Sequence, residues 1–265
     1  MGSENGYPEN QTETSGEKSG EQKLSYDLYP ERRDENTEKS FLEKFKKLPS
    51  KALLHKEKCE ANIIRALKTN PMVRLLVQAL ESAGCPVKFG RHICCEECDV
   101  RVTGGYDVEW NQIVVCQNSY KSRKIPEVTL IHELIHMFDY CVNHIDFNKN
   151  EHLACTEIRA ANLSHCSFLS SLMLKQSSLF NIKETHQNCV KMKATQSMMV
   201  AKNMDFETAL GEVLKVFDKC YNDLEPIGRR VRRSSCDPLL SYKEGKHYGY
   251  GKKPSRIPEE VNDPK

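Results

Sequence analysis

The sequence contains no long apolar run, and this absence excludes the simplest kind of membrane protein. No stretch approaches the roughly 18 apolar residues that a spanning helix requires, so we predict no transmembrane segment. The N-terminus also lacks a basic region followed by an apolar one, which is the pattern of a secretory signal. It is acidic, whereas an ordinary mitochondrial presequence is Arg-rich and amphipathic. We therefore expect neither kind of targeting segment.

The sequence also lacks an excess of charge of either sign. It has 39 Lys and Arg residues against 37 Asp and Glu residues, so its overall charge does not indicate nucleic-acid or membrane binding. One local exception is the basic run RRVRR at residues 229–233. Such a run is usually a solvated surface, although it could hold the protein against anionic lipid. We expect no direct binding to nucleic acid, because no other basic stripe accompanies the run.

Apolar residues are scarce near the start of the chain, and this composition predicts the domain organisation. Residues 1–40 are rich in Gly, Ser, Glu, Asn, Lys and Thr, which is typical of a disordered tail. Residues 41–250 are predicted to form the folded domain, and residues 251–265 a flexible C-terminal tail.

Within the folded part, apolar periodicity and the positions of Pro and Gly predict a mainly helical body. The predicted helices cover residues 51–68, 72–83, 126–141, 152–174, 182–203 and 206–221, with Asp205 as the cap of the last. An amphipathic piece is predicted at residues 41–48. Short strands are predicted at residues 87–89, 100–102, 106–110 and 112–116, the last two forming a hairpin. We therefore expect an α+β fold in which a small antiparallel sheet packs on the helices.

The helix predicted from residue 126 contains the pattern H-E-x-x-H, formed by His132, Glu133 and His136. Four residues are slightly more than one helical turn, so the two histidines lie on one face and can bind a single metal ion. Neutral imidazole suits Zn²⁺, which in catalytic sites takes three protein ligands and keeps a position for water. Glu133 is placed beside that water and can take its proton during attack on a carbonyl.

A pattern with three fixed letters also occurs by chance, and the alternative is an ordinary buried helix with two incidental histidines. The surrounding sequence argues against that alternative. Pro126 and Glu127 suit the first turn of a helix, and apolar residues surround the motif as expected for a helix through a core. The context therefore favours a zinc hydrolase.

Two histidines do not make a stable zinc site, so a third ligand must come from elsewhere. Asp139 is the nearest acid, but at 1.5 Å per residue it lies about 7 Å along the helix axis beyond the expected metal position. A carboxylate oxygen must approach zinc to about 2 Å, so Asp139 is better suited to supporting a ligand than to being one. The elongated pattern H-E-x-x-H-x-x-G-x-x-H is absent, because Asp139 and Val142 occupy its Gly and final His positions.

A glutamate on the next predicted helix is the preferred third ligand. Glu157 lies one loop and about two helical turns beyond the motif, and an antiparallel return would place its carboxylate over the metal. The alternative for Glu157 is an ordinary surface acid. Glu151 and His152 are weaker candidates, while His144 and His165 are interpreted as a loop and a core histidine.

The chain contains 12 cysteines, which are many for a protein without a predicted secretory route. We favour disulfides, although reducing compartments discourage them, and the mitochondrial intermembrane space would resolve that conflict. A structural zinc knuckle around Cys94, Cys95 and Cys98 is an alternative, and buried thiols are another. The sequence does not give the pairing.

Three segments of the chain resemble a known family. HELIHMFDYC, CTEIRAANLS and GGYDVEWNQIVVCQN are similar to segments of the mitochondrial inner-membrane metalloprotease family that matures and assembles an ATP synthase membrane subunit. The resemblance covers residues 59–250. It implies a zincin-like zinc metalloprotease domain, which agrees with Zn²⁺ held by His132, His136 and Glu157 and with Glu133 as the general base.

The resemblance also implies a location and partners. Members of the family lie on the intermembrane-space side of the inner membrane, attached peripherally, and process a precursor of an ATP synthase membrane subunit. They also assist assembly of the membrane sector, so membrane scaffold proteins are further candidate partners. Import by oxidative folding would explain the cysteine content of this chain.

A non-catalytic assembly or scaffold protein is the alternative class of function. In that case the H-E-x-x-H helix would be structural only. Vertebrate relatives of the family have been linked to the Ku end-joining complex, so the corresponding alternative is a nuclear or cytosolic Ku-associated factor in DNA double-strand-break repair.

Overall fold

The computed structural model describes residues 28–29, 51–119, 124–166, 182–232 and 234–251. The α-helices of this part are α1 (Lys51–Thr69), α2 (Pro71–Ser82), α3 (Lys124–Asn143), α4 (Asn150–Ala160), α5 (Ile182–Lys202), α6 (Phe206–Asn222) and α7 (Asp237–His247). A π-helix, Ala161–His165, follows α4 directly. None of the described helices is long and apolar enough to cross a membrane.

Local sequence signals explain where several of the helices begin. The side-chain oxygen of Asn70 accepts a hydrogen bond from the Met72 N–H, and Pro71 occupies the first position of α2, where a missing N–H costs nothing. Asp205 caps α6 as predicted, because its side chain accepts a hydrogen bond of 2.9 Å from the Thr208 N–H. The predicted helices at residues 51–68, 182–203 and 206–221 agree closely with α1, α5 and α6.

The helix predicted at residues 152–174 ends earlier than expected. Helix α4 passes into the π-helix at Ala161, and Cys166 then has extended backbone angles (φ −88°, ψ 124°), so the helical run ends at His165. Residues 167–174 of that prediction lie outside the described residues, as does the amphipathic piece predicted at residues 41–48.

The sheet contains β1 (Ile93–Glu96), β2 (Gly104–Asp107) and β3 (Gln112–Cys116), in the spatial order β1-β3-β2. Strands β2 and β3 form the predicted antiparallel hairpin. Strand β1 is parallel to β3, with Ile93 opposite Ile113. The sheet is therefore mixed, and the prediction of an antiparallel sheet is wrong.

The loop between β1 and β2 explains the mixed topology. Residues 97–103 cross over the C-terminal end of β3, where a disulfide joins Cys98 to Cys116. The strand predicted at residues 100–102 is part of this crossing loop, and the one predicted at residues 87–89 is reduced to an isolated bridge between Phe89 and Ile93. As a consequence of the crossing, β2 is an edge strand of the sheet.

Helix α3 runs through the centre of the core. Leu130, Leu134 and Ile135 have no exposed surface, which places the apolar residues around the H-E-x-x-H motif as predicted. The helix packs against α2 on one side and against the sheet and α4 on others.

Helix α7 is not among the helices that the sequence patterns predict. Its first turn contains Pro238, and it packs against α2 through the buried Tyr242. Polar residues interrupt the hydrophobic periodicity of α7, so its sequence pattern does not indicate a helix. The helix is stabilised mainly by its packing against α2.

The arginines that precede α7 contact the rest of the protein. Nε of Arg232 donates to a carboxylate oxygen of Asp237 at 2.9 Å, and Arg229 forms an ion pair with Glu244. Arg230 donates to a main-chain carbonyl oxygen of α6 at 2.7 Å. Three of the four arginines of the RRVRR run thus contact neighbouring residues, and Arg233 lies outside the described residues.

Two residues of the predicted N-terminal tail belong to the folded structure. Leu28 and Tyr29 are buried beside Val114 of β3, and the Tyr29 hydroxyl donates to the carbonyl oxygen of Gly104 at 2.8 Å. The other residues assigned to the two tails lie outside the described residues, except residue 251. The division into residues 1–40, 41–250 and 251–265 therefore stays a prediction.

Ten of the 12 cysteines form disulfides, which confirms the prediction that most of them are paired. The bonds are Cys59–Cys95, Cys85–Cys141, Cys98–Cys116, Cys155–Cys220 and Cys166–Cys189. Cys94 and Cys236 remain thiols. The zinc knuckle considered around Cys94, Cys95 and Cys98 is wrong, because two of its three cysteines are in disulfides.

Candidate metal centre and active site

Helix α3 directs the side chains of its H-E-x-x-H motif towards an open cavity. Glu133 and His136 are almost fully buried, at 5% and 4% exposure. Edge strand β2 lies directly against this part of the helix, because a Cβ added at Gly104 would overlap the Thr129 side chain and lie 2.7 Å from the carbonyl oxygen of Val114. Glycine at position 104 therefore allows the strand to approach the motif.

Helix α4 brings Glu157 to the two histidines, in the arrangement that an antiparallel return predicts. His132 Nε2 lies 3.0 Å from His136 Nε2. The two carboxylate oxygens of Glu157 lie 3.3 Å from His132 Nε2 and 3.6 Å from His136 Nε2. Glu157 is only 4% exposed, so the interpretation as a surface acid is wrong for this residue.

This donor set fits a zinc ion. A tetrahedral zinc ion with donors at about 2 Å needs donor atoms about 3.3 Å apart, and the three separations lie around that value. Oε2 of Glu157 is buried without a hydrogen-bond partner, which is costly for a carboxylate oxygen unless a cation binds it. Two imidazoles and a glutamate are also a known donor set of catalytic zinc sites.

The electrostatics of the three side chains suit a cation. Burial lowers the pKa of His136 to about 4, so its imidazole is neutral. Burial alone would raise the pKa of Glu157, but His136 and His132 lower it to about 2, so its carboxylate is ionised. Burial alone would likewise lower the pKa of His132, but the charges of Glu133 and Glu157 raise it. The two carboxylates thus create a negative potential that favours a cation between the donors.

A hydrogen-bonded chain behind His136 fixes its orientation. The Thr156 hydroxyl donates to Oδ2 of Asp139 at 2.7 Å, and its oxygen lies 2.9 Å from Nδ1 of His136. A hydroxyl has only one hydrogen, so this oxygen accepts the proton of Nδ1. Nε2 of the neutral ring therefore carries a lone pair that points towards His132 and Glu157.

Arg159 holds the carboxylate of Asp139 in place. It contacts both oxygens, with Nε at 3.1 and 3.0 Å and NH2 at 2.9 Å from Oδ1. Arg159 also pairs with Asp223 and donates to the carbonyl oxygen of Glu225 at 2.6 Å. Burial raises the pKa of Asp139, although Arg159 and Thr156 oppose that change. The guanidinium therefore connects the metal centre to the segment that follows α6.

Glu133 lies beside the donor cluster without belonging to it. Its carboxylate forms no hydrogen bond with any described residue, so its oxygens are available to a water molecule or a substrate in the cavity. Burial raises the pKa of Glu133 to about 7, with His132 opposing and Glu157 adding to the change. A pKa near the working pH suits a general base.

The cavity has a volume of about 330 Å³ and is walled by strand β2, helices α3, α4 and α5, and the buried N-terminal residues. Its lining includes apolar residues such as Leu153 and Phe147, whose ring centroid lies 6.2 Å from that of His136. It also includes the polar residues His165, Lys193 and Gln196. The cavity therefore offers both apolar and polar contacts to a molecule that lies beside the donor cluster.

The other predicted candidates lie elsewhere. Asp139 supports His136 through Thr156 instead of facing the donor cluster. Glu151 is exposed on α4, and Nδ1 of His152 accepts a hydrogen bond from a loop N–H. His144 lies in a loop, as predicted. His165 is not a core residue: it is exposed on the cavity wall, so that prediction is wrong.

Sequence reasoning missed Thr156 and Arg159. The segment containing them was expected to be helical, but their spacing from Glu157 gave no usable signal. Residues at one and two positions from a ligand face different directions on a helix, so only the tertiary packing of α4 against α3 shows that both reach Asp139.

An H-E-x-x-H helix with a third donor from a neighbouring helix, beside an edge strand, defines a metallopeptidase. The chain belongs to the Peptidase M76 family, whose sequence profile matches residues 57–228. This result confirms the resemblance described above.

Individual relatives extend over most of the chain. The chain is 38% identical over 218 residues to the mitochondrial inner membrane protease ATP23 homolog of Homo sapiens, covering 81% of this chain and 85% of that protein. It is 40% identical over 231 residues to the homolog of Xenopus laevis, with 86% and 94% covered, and 36% identical over 175 residues to the protease atp23 of Schizosaccharomyces pombe, with 65% and 92% covered. The expected inner-membrane location agrees with these relatives. No solved structure matches the chain.

Proposed function

We propose that this protein is a zinc endopeptidase in which His132, His136 and Glu157 bind the ion and Glu133 is the general base. The observation that carries the proposal is the cluster of donor atoms at the cavity: the two Nε2 atoms lie 3.0 Å apart, and Glu157 places Oε2 3.3 Å from His132 and Oε1 3.6 Å from His136. Zinc bound there would polarise the peptide carbonyl and make water more acidic.

Glu133 moves the proton in the proposed reaction. Its carboxylate takes a proton from the water as the water oxygen forms a bond to the carbonyl carbon. The electron pair of the carbonyl π bond moves to the carbonyl oxygen. When that pair returns and the C–N bond breaks, Glu133 gives the proton to the leaving nitrogen. The unshared carboxylate and its raised pKa suit both steps.

Strand β2 is suited to holding the substrate in an extended conformation. It is the edge of the sheet and lines the cavity beside the H-E-x-x-H motif. An edge strand can pair with an extended peptide through main-chain hydrogen bonds. Such pairing would place a peptide bond over Glu133 without requiring a particular side chain.

We further infer the biological setting from the resemblance to the mitochondrial inner-membrane metalloprotease family. The proposed site of action is the intermembrane-space side of the mitochondrial inner membrane, with peripheral attachment. The proposed substrate is the precursor of an ATP synthase membrane subunit, and assembly of that subunit, with membrane scaffold proteins as partners, is a second proposed role. The five disulfides support an oxidising compartment.

Glu133→Gln tests the proposed chemistry, since it keeps the shape of the side chain and removes the base. Purified parent and variant are incubated with the precursor subunit, and cleavage is followed by mass spectrometry. We expect cleavage to fall to background in Glu133→Gln and to persist in Glu127→Gln, a control six residues earlier in the first turn of α3. Full cleavage by Glu133→Gln would contradict the proposal.

The same variant distinguishes the alternative class of function. A non-catalytic assembly factor, including a Ku-associated one, should act normally when glutamine replaces Glu133. If cells expressing only Glu133→Gln lose cleavage but still assemble the ATP synthase membrane sector, the protein has both roles. If they retain every phenotype of the parent, the assembly or scaffold role is the correct one.

A further inference from the structure

His165 is the polar residue of the cavity whose role remains open. Its ring centroid lies 4.9 Å from that of His132, at an interplanar angle of 58°. Unlike the two histidines of the motif, His165 is exposed to the cavity. It does not belong to the donor cluster, which contains only His132, His136 and Glu157 among the described residues. Its imidazole therefore stands beside the metal centre and is not part of it.

The π-helix explains why His165 faces the cavity. At about 100° per residue, a continuous α-helix would turn His165 about 80° away from the direction of Glu157. The wider turns of a π-helix rotate less per residue, so the segment Ala161–His165 reduces this offset. π-Helical turns within helices occur frequently at functional sites, and this one directs an imidazole towards the ligands.

A disulfide fixes the end of the π-helix. Cys166, the residue after His165, is bonded to Cys189 of α5. The next two turns of α5 contribute Lys193 and Gln196 to the cavity wall. A covalent link to α5 thus restrains the position of His165, and a fixed position is what a group that stabilises a transition state requires.

Several side-chain hydrogen-bond donors on the cavity wall already donate within the protein. They are Tyr29, Arg101, Tyr106 and Thr129. Among the remaining donors of the wall, His165, Lys193 and Gln196 form no hydrogen bond with any residue that the structure describes. The ring of His165 lies against His132 of the donor cluster, with the ring centroids 4.9 Å apart. His165 is therefore an available donor beside the place where a peptide carbonyl would react.

We propose that His165 is a further catalytic residue, whose ring N–H donates a hydrogen bond to the carbonyl oxygen of the scissile peptide as negative charge develops there. This inference rests on the proposed peptidase function. No proton is transferred: the bond strengthens as the π electron pair moves to the oxygen, and weakens again when the C–N bond breaks. Such donors stabilise the transition state more than the substrate, so they raise kcat.

Two variants test the role of this N–H. His165→Phe keeps a ring against His132 but has no donor, whereas His165→Gln supplies a side-chain N–H. His247→Phe, at an exposed position on α7, is the matched control. Each zinc-loaded protein is compared for zinc content, melting temperature, kcat and KM on a peptide cleaved by the parent. Calorimetry also measures the Kd of each protein for a peptide phosphonamidate, whose apolar side chains are chosen to match the cavity wall. This compound mimics the negatively charged oxygen of the transition state and is not turned over.

We expect His165→Phe to retain zinc and to lose about 10²–10³-fold in kcat, with little change in KM. It should bind the phosphonamidate at least about tenfold more weakly than the parent does. His165→Gln should recover part of the loss in kcat and part of the loss in phosphonamidate affinity. His247→Phe should behave as the parent. The proposal is overturned if His165→Phe keeps its kcat and phosphonamidate affinity, or if its losses follow a loss of zinc.

The phosphonamidate separates this inference from the proposed function. If the parent cleaves no peptide but binds the phosphonamidate, the peptidase proposal fails, and weaker binding by His165→Phe still supports the hydrogen bond. If binding is equal in both proteins, His165 is not the donor. A parent that neither cleaves nor binds overturns both proposals.

Discussion

The Thr156 hydroxyl lies 2.9 Å from Nδ1 of His136 and donates its own proton to Asp139 at 2.7 Å. One side chain on α4 therefore decides which ring nitrogen of a histidine on α3 faces the donor cluster. Its neighbour Glu157 supplies the third donor. Helix α4 thus supplies one ligand of the proposed zinc site and orients another, so the packing of α3 against α4 determines the geometry of the donor cluster.

Thr156→Val should weaken zinc binding without removing a ligand. Valine has nearly the same shape but cannot accept from Nδ1 of His136, so the ring loses its preferred tautomer. Loss of such supporting contacts typically costs about 10–100-fold in metal affinity, which competition with a chelator measures. Thr156→Ser should bind zinc almost normally, and Thr195→Val, a buried position on α5 outside the site, is the control. Equal zinc affinity in Thr156→Val and the parent would contradict the role given to the hydroxyl.

Arg159→Met should be strongly destabilising, because it leaves the carboxylate of Asp139 buried without its cation. Removing one partner of a buried ion pair costs about 3–5 kcal/mol in the free energy of unfolding, which urea titration measures. The matched control is Arg65→Met, since Arg65 pairs with Glu127 at 3.4 Å on the surface; loss of such a pair costs about 0–1 kcal/mol. Similar losses in the two variants would show that the Arg159 network is not the strong contact that its burial indicates.

Much of this architecture is predictable from local patterns. The spacing of His132 and His136 specifies one helix face, and caps such as Asp205 specify helix starts. Contacts between distant segments are not encoded locally. The parallel pairing of β1 with β3 depends on a loop crossing, and helix α7 depends on packing against α2.

The same limit applies within the site. Glu157 could be predicted as the third ligand, because a second helix that runs antiparallel to the first places one of its faces over the H-E-x-x-H motif. Thr156 has no such signature, since a buried threonine that relays a hydrogen bond has the same local sequence as one that does not. His165 is predicted to be a core histidine, and the π-helix that contains it, which the sequence patterns do not predict, places it on the cavity wall instead.

Gly104→Ala should disturb the contact between β2 and α3. An added methyl group would overlap the Thr129 side chain and approach the carbonyl oxygen of Val114 to 2.7 Å, and overpacking of this kind costs about 1–3 kcal/mol. Gly211→Ala is the control, because it lies within α6 with nothing within 4 Å of the added Cβ, where alanine should stabilise by about 0.5–1 kcal/mol. Thermal unfolding of both variants measures the difference. A Gly104→Ala protein as stable as the parent would show that the strand can move away from the helix.

Alkylation of the unreduced protein, isolated from its native source, should modify two thiols, Cys94 and Cys236. Alkylation after reduction and unfolding should modify all 12 cysteines. Replacing Cys155 and Cys220 by serine should lower the free energy of unfolding by about 2–5 kcal/mol, because this cross-link restricts the unfolded chain; Cys236→Ser should have little effect. Finding ten or more reactive thiols before reduction would contradict the disulfides and the oxidising compartment that they support.

The central claim is that His132, His136 and Glu157 together bind zinc, and the metal content of Glu157→Ala tests it most directly. The purified variant is compared with the parent and with Asp139→Ala by elemental analysis after dialysis against a weak chelator. We predict zinc in the parent, little or none in Glu157→Ala, and retained zinc with slower peptide cleavage in Asp139→Ala. Zinc retained in full by Glu157→Ala but lost from Asp139→Ala would contradict this assignment of the ligands.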